Sequence, residues 1–337
     1  MDLLNKGKKY MDIEKVDTRK ISVIIPIKNR AGLIGQTLDS IINQTLKPFE
    51  IILVDDGSSD ALENALVPYG GHITLIKNKG IGPGAARNTG LEIAMGEFIK
   101  FFDSDDLMTP TSLYDQTLAL LQSNKKFVTS PYIYATFTDG EWKSSEKVIL
   151  NYYSFSQSQS LLHWMIWGLF IPIPSMLFRK SFLELIGPWP TDIVTSEDWI
   201  YLWKIAQEEP FPAHTNTCAF IYRLHAYQST GVHMDDLSRD KEKFSILQQA
   251  YLADARKLNL TLFEKLLFKL KFYQMATVTK EHIFKKQLKY ASGNGQWLMW
   301  LYYRFKMKMG RIKTGSNWQP MHGVNKDEIV RNNFLKF

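Results

Sequence analysis

Through its first 105 residues the chain alternates unbroken apolar runs with helix-period segments, and two of those runs stop on acids. ISVIIPI (21–27) is a β-branched run, and FEIILVDD (49–56), HITLIKN (72–78) and EFIKFF (97–102) repeat the pattern. Between them, AGLIGQTLDSIINQT (31–45) sets Leu33, Ile34, Leu38, Ile41 and Ile42 on one helical face. SSDALENAL opens with capping residues, and GAARNTGLEIA reads as a third helix. Strands separated by helices pair in parallel through right-handed crossovers. The expectation is an α/β fold: an open, Rossmann-like, mostly parallel sheet.

After Pro110 the rhythm changes. TSLYDQTLALLQS predicts a helix; KFVTSPYIYATF and EWKSSEKVIL flank a Thr-Asp-Gly turn and predict an antiparallel hairpin. SMLFRKSFLELIGPWP reads as a strand running into a helix that stops at Gly187-Pro188, SEDWIYLWKIAQEE as a helix, and TCAFIYRLH as a strand. From about residue 236 the pattern is helical throughout, and no internal repeat is present.

With 337 residues, 45% hydrophobic and 22% charged, the composition is that of a globular protein. One cysteine, Cys218, excludes an internal disulfide framework and a multi-thiolate zinc site. Residues 1–20 hold Lys6, Lys8, Lys9, Asp12, Glu14 and Lys15, so no secretory signal is expected there. Val148 to Phe178 carries no charged residue, yet Gly168, Pro172 and Pro174 interrupt it, whereas a spanning helix wants about 20 apolar residues. Charge is uneven: residues 241–337 hold 19 Lys and Arg against 6 Asp and Glu, which leaves −6 for the rest of a +7 chain. The tail WLMWLYYRFKMKMGRIK interleaves aromatics with cations. It suits an anionic membrane surface, or equally a helical subdomain with solvated lysines.

Ligands of such sheets bind outside the carboxyl ends of the strands, where strand order reverses. Asp55 and Asp56 end one strand; Asp103 and Asp105 follow another. Two carboxylate clusters facing one crevice need a positive partner, and Mg²⁺ or Mn²⁺ takes such oxygen ligands together with phosphates. The blander alternative is that these acids cap turns and helices, which fits Asp106 equally well. KGIGPGAARNTG also satisfies G-x-G-x-x-A at Gly80, Gly82 and Ala85. A dinucleotide loop normally follows the first strand, so the expectation here is backbone approach to a phosphate, with Arg87 supplying charge.

Taken in order, ISVIIPIKNR, EIILVDDGSSD, GAARNTGLEIAMGEFIKFFDSDD and SEDW closely resemble family 2 glycosyltransferases, inverting enzymes of GT-A fold that use nucleotide-diphosphate sugars. The resemblance covers about residues 20–228. It implies a polar lead-in (1–19), a nucleotide-sugar-binding half (20–120), an acceptor-binding half (121–235) and a basic helical C-terminal region (236–337). It also implies that Pro26, Lys28 and Arg30 edge the nucleotide pocket and that Asp56 reads the base. Arg87 would help hold the nucleotide, Asp103 would contact the ribose, Ser104 would be among the nucleotide-sugar contacts, and Asp105 would ligate Mn²⁺ or Mg²⁺. Relatives carry an Asn-Gly a few residues before Ala-Arg-Asn; Asn78 lies nine before Arg87, which leaves its contact without support.

The general base of the resemblance falls on Asp198, with Glu197 beside it. Acids in a first helical turn are also stabilised by the helix dipole without any catalytic role. His225 is the candidate to complete the metal shell, with His233 behind it, and Arg223 and Gln228-Ser229 are candidates to close over the diphosphate. Trp164, Trp167, Trp189, Trp199 and Trp203 either stack on acceptor sugars or belong to the core, and the helical spacing of the last two favours the core. The expected partners are a nucleotide-diphosphate sugar and a glycan or lipid-linked acceptor, with no nucleic acid. The expected location is cytoplasmic, with the basic tail a candidate contact for the inner face of the cell membrane. A non-catalytic nucleotide-sugar-binding protein and a sugar nucleotidyltransferase are the rivals. The first would be expected to lack Asp105 or Asp198; the second would place a Gly-rich loop where PIKNRAG stands.

Overall fold

The computed structural model describes residues 21–138, 141–149, 160–166, 171–192 and 197–225. The expectations for the lead-in, Trp167, Gln228-Ser229, His233 and the basic C-terminal region lie outside the described residues. In chain order the elements are β1 (Ile21–Ile27), α1 (Ala31–Ile42), β2 (Glu50–Asp55), α2 (Leu62–Leu66), β3 (Thr74–Lys77), α3 (Gly82–Ile93), β4 (Phe98–Phe101) and β5 (Leu107–Met108). There follow α4 (Ser112–Leu121), β6 (Phe127–Thr129), β7 (Tyr132–Thr138), β8 (Glu141–Ile149), α5 (Leu161–Ile166), β9 (Met176–Arg179), α6 (Lys180–Ile186), α7 (Glu197–Glu208), β10 (Ala213–His214) and β11 (Phe220–Leu224). They fall into two units: residues 21–133, 173–188 and 213–222 form the first, and the described parts of 134–172, 189–212 and 223–225 the second.

The first unit holds a seven-stranded sheet in the order β10-β6-β9-β4-β1-β2-β3. β1 pairs in parallel with β2 on one side and β4 on the other, and β3 continues in parallel beside β2. Ile21, Val23, Ile24, Ile25, Phe98 and Ile99 are fully buried, as the continuous apolar runs of a sheet covered on both faces require. Strand order reverses at β1, so the loops after β1, β2 and β4 are neighbours at one end of the sheet. α3 lies hard against this centre. A Cβ at Gly90 would collide with Ile24 Cγ2 and come within 3.2 Å of Val54 Cγ2, so only glycine permits the approach.

The sheet departs from the sequence reading beyond β4. KFVTSPYIYATF is not one hairpin arm: it breaks at Ser130-Pro131 into β6 and β7. Proline has no N–H for a ladder, and the breakpoint is held from elsewhere. The Ser130 N–H donates to the Ser175 carbonyl, and the Ala219 N–H donates to the Pro131 carbonyl. β9 runs antiparallel to both β4 and β6. The two-residue strands β5 and β10 are too short to carry a periodic signal. The helix expected from Ser58 begins only at Leu62, because Ser58, Ser59 and Asp60 spend their polar groups on neighbouring loops.

A polar chain runs through the interior of the first unit. Lys100 on β4 is wholly buried, and its Nζ donates to Gln116 Oε1 (2.8 Å) and to the Pro174 carbonyl (2.7 Å). The Gln116 amide donates in turn to Ser130 Oγ and to the Ser175 carbonyl, and the Thr215 hydroxyl donates to Ser130 Oγ. Burial holds the Lys100 amine well below its ordinary value, and two acceptors match the two N–H groups of a neutral amine. Burial likewise pushes the Cys218 thiol up to about 12, which keeps it protonated, and lowers His214 to about 4, with the Lys125 charge adding to the effect.

In the second unit α7 buries Trp199, Tyr201, Leu202, Trp203 and Ile205, and the Trp189 ring stacks on Tyr201 at 3.9 Å between centroids. Trp189, Trp199 and Trp203 are therefore core residues. The Leu161 N–H at the start of α5 donates to the Pro210 carbonyl (2.7 Å). Among the described residues no helix is long and apolar enough to cross a membrane.

The lysine gives a pH signature. Between its lowered folded value and about 10.5, the unfolded chain binds the proton that the folded chain has lost, so stability rises with pH through that window. A Lys100→Met variant should lack this slope, which is at most about 1.4 kcal/mol per pH unit, in urea denaturation series from pH 7 to 10.

Candidate active site

β1 ends in Lys28-Asn29-Arg30, and Asn29 takes φ +53°, a left-handed turn that asparagine tolerates better than most residues. This turn is pinned on the β2 side. The Asn29 N–H donates to Ser58 Oγ (3.0 Å), the Ser59 N–H donates to Asn29 Oδ1 (2.7 Å), and Asp60 Oδ2 accepts the Ala31 N–H at the start of α1 (2.8 Å). Pro26 is half-buried in β1 opposite Val54. Lys28 and Arg30 thus project from the central strand, between the acids that end β2 and those that follow β4.

The two acids after β2 separate as strand alternation demands. Asp55 turns to its own chain, its Oδ1 accepting the Ser58 N–H (2.9 Å). Asp56 turns to the loop before α3: both of its oxygens accept the Gly82 N–H (3.0 and 3.1 Å), and Lys28 Nζ stands 3.7 Å away. Gly82, at φ +87°, opens α3, so Asp56 sits on a helix N-terminus, where backbone N–H groups and the helix dipole favour a carboxylate. The Gly82 N–H of the glycine loop is thereby turned to a protein carboxylate. The Gly80 N–H likewise goes to Asn78 Oδ1 (3.1 Å).

Asn78 is the residue that sequence reasoning missed. Its Nδ2 donates to Asp56 Oδ1 (2.6 Å) and to the Gly82 carbonyl (3.3 Å), while its Oδ1 accepts from the Gly80 N–H and the Thr89 hydroxyl. The longer spacing to Arg87 is absorbed by this loop, and the amide still reaches the acid at the end of β2. No sequence signal reveals that, because the reach depends on how Gly80 and Gly82 fold the chain back.

On the other side of β1, Arg87 from α3 bonds Asp103 (Nη2 to Oδ1, 3.2 Å), and Arg30 bonds Asp105 (Nε to Oδ2, 3.1 Å). The Asp103 and Asp105 side chains keep 34% and 20% of their exposure, and the arginines 7% and 11%, so the guanidiniums lie beneath carboxylates that still face outward. Ser104, expected among the nucleotide contacts, is buried instead, and its carbonyl accepts the Thr37 hydroxyl (3.0 Å). Asp106 is buried too.

Asp103 and Asp105 fit Mg²⁺ or Mn²⁺ in the chemistry of their donors: hard carboxylate oxygens that remain accessible. Among the described residues no group of three or more His, Cys, Asp or Glu converges as a metal site.

In the second unit, Glu197 and Asp198 form the first turn of α7; Glu197 is buried, and Asp198 is half-buried with its Oδ1 accepting the Trp199 N–H (2.8 Å). His225, half-buried, follows β11, and Arg223 is fully buried.

Residues 22–186 match the model of the family described as Glycosyl transferase family 2. Over this stretch the chain resembles family 2 glycosyltransferases. An uncharacterized glycosyltransferase of Rickettsia prowazekii (strain Madrid E) is 27% identical over 236 residues, 67% of this chain and 70% of that one. Among solved structures, S. aureus TarS 1–349 in complex with UDP-GlcNAc superposes with a TM-score of 0.54 at 18% identity, covering 76% of this chain and 80% of that chain. The mannosyltransferase PcManGT from Pyrobaculum calidifontis, in complex with GDP-Man and Mn²⁺, gives 0.53 at 17% identity, covering 88% and 83%. The shared architecture is that of the GT-A glycosyltransferases.

Asn78→Ala should remove a hydrogen bond to a charged group and lower stability by about 1.5–3 kcal/mol. Equilibrium urea unfolding checks this; an unchanged midpoint would show that Asp56 holds its place without the amide.

Proposed function

We propose that this glycosyltransferase moves a sugar from a nucleotide-diphosphate sugar to a hydroxyl of a glycan or lipid-linked acceptor, with inversion at the anomeric carbon, in surface polysaccharide synthesis. The observation that carries the reading is the basic loop after β1, flanked by Asp56 on one side and by Asp103 and Asp105 on the other. That arrangement has the charge pattern a nucleoside diphosphate needs: carboxylates for a base and a ribose, and cations for phosphates. Pro26, Lys28 and Arg30 would edge the pocket, Asp56 would meet the base, and Arg87 would hold Asp103 toward the ribose. A bound Mn²⁺ or Mg²⁺, held by Asp105, would stabilise the departing diphosphate as a Lewis acid. The donors named with the TarS and PcManGT structures, UDP-GlcNAc and GDP-Man, support a nucleotide sugar as substrate, and the Mn²⁺ of the second supports the metal.

Inversion is a single displacement, so the acceptor hydroxyl must lose its proton as it attacks. Asp198 is the proposed general base, with Glu197 beside it. Its place in the first turn of α7 favours the ionised form that accepts a proton. The basic, aromatic C-terminal sequence supports contact with the anionic inner face of the cell membrane.

A panel of UDP-, GDP- and dTDP-sugars with Mn²⁺ or Mg²⁺, assayed for binding and for hydrolysis, tests the reading directly; a protein that binds none of them is not this enzyme. Asp198→Asn should keep donor affinity while turnover falls at least about a hundredfold. Near-normal turnover would remove Asp198 from the role of base. Asp105→Ala should weaken donor binding only where metal is present, and an unchanged metal requirement would count against the ligand assignment.

A further inference from the structure

Arg30, which edges the proposed donor pocket, is also bound to an acid of that site. Its guanidinium bonds Asp105, the proposed metal ligand, at 3.1 Å, and its Nη1 also donates to the carbonyls of Lys28 (3.4 Å) and Asn29 (3.1 Å) in its own loop. Only 11% of the side chain is exposed. The loop is itself anchored through Asn29, Ser58, Ser59 and Asp60. Arg30 is therefore a fixed cation rather than a mobile surface arm. A guanidinium cannot shed its proton at any working pH, so a divalent ion approaching Asp105 meets a permanent positive charge already seated on the same carboxylate.

We propose that Arg30 is the internal counter-ion of Asp105, and that it withholds this carboxylate from a divalent metal until a diphosphate supplies the negative charge that both cations need. Arg30 then exchanges a carboxylate partner for phosphate oxygens, a ligand to which its planar fork is equally suited. Metal and diphosphate binding become mutually dependent, and metal alone binds weakly. This rests on the metal-dependent reading above.

The test is Mn²⁺ binding to the full chain, followed by the electron paramagnetic resonance signal of free Mn²⁺, with metal alone and with UDP or GDP added and corrected for Mn²⁺-nucleotide complexes in solution. Arg30→Gln should bind Mn²⁺ alone about tenfold more tightly than wild type, Arg30→Lys should stay near wild type, and Asp105→Asn should abolish the gain. UDP or GDP should tighten Mn²⁺ binding about tenfold or more in wild type, and by less in Arg30→Gln. Mn²⁺ binding by a folded Arg30→Gln no tighter than wild type overturns the role of Arg30. Should that variant not fold, wild-type affinity for Mn²⁺ that is the same with and without nucleotide overturns it equally. Absence of Mn²⁺ binding in every arm removes the metal-dependent reading and this proposal together.

Discussion

Everything at the candidate site follows from the cost of bringing carboxylates together. The loops after β2 and β4 deliver Asp56, Asp103 and Asp105 to neighbouring strand ends, where they would repel one another and resist partial burial. The chain answers with cations drawn from two sources. Lys28 and Arg30 come from the central strand, which touches both acidic neighbours, and Arg87 comes from the helix packed over it. Close packing of α3 against Ile24 and Val54 is what brings its N-terminus and Arg87 to the acids. The glycine at position 90 is thus as much a part of the electrostatics as the charged residues are.

Much of this was legible in the sequence because the signals are strong and local. Long apolar runs, two of them ending on acids, gave β1, β2 and β4 to within a residue or two, and the helix-period segments between them gave α1 and α3. Asp56, Asp103 and Asp105 stood out as charges placed where a buried strand stops, and Arg87 as the cation beside the glycine loop. Less legible were features set by tertiary contact. The division of labour between Asp55 and Asp56 depends on which face of β2 each side chain takes. Asn78 reaches Asp56 only because the glycines at 80 and 82 shorten the loop. Ser104 was read with its acidic neighbours by proximity in sequence, whereas its residue is buried and its carbonyl is tied to Thr37.

The tryptophans teach a related lesson. An aromatic-rich stretch is compatible with a sugar-binding face and with a core, and the spacing of Trp199 and Trp203 favoured the core; burial and the Trp189–Tyr201 stack place all three inside the second unit. Lys100 is the opposite case. A lysine within EFIKFF looks like a solvent-facing alternation, yet both faces of β4 are covered. The amine is accommodated only because Gln116, Ser130, Pro174, Ser175 and Thr215 converge on one polar chain from four separate stretches of sequence.

The position of β9 between β4 and β6 has a bearing on how the protein is made. During synthesis β4 leaves the ribosome with its inner neighbour β1 already available, but its outer neighbour is still about 75 residues away. At typical elongation rates that interval is roughly 4–15 s. Throughout it a strand that is apolar but for Lys100 presents an unpaired hydrogen-bonding edge, the kind of template that recruits foreign chains. The nascent polypeptide therefore passes through a window in which chaperone attendance, rather than final stability, decides how much of it reaches the finished fold.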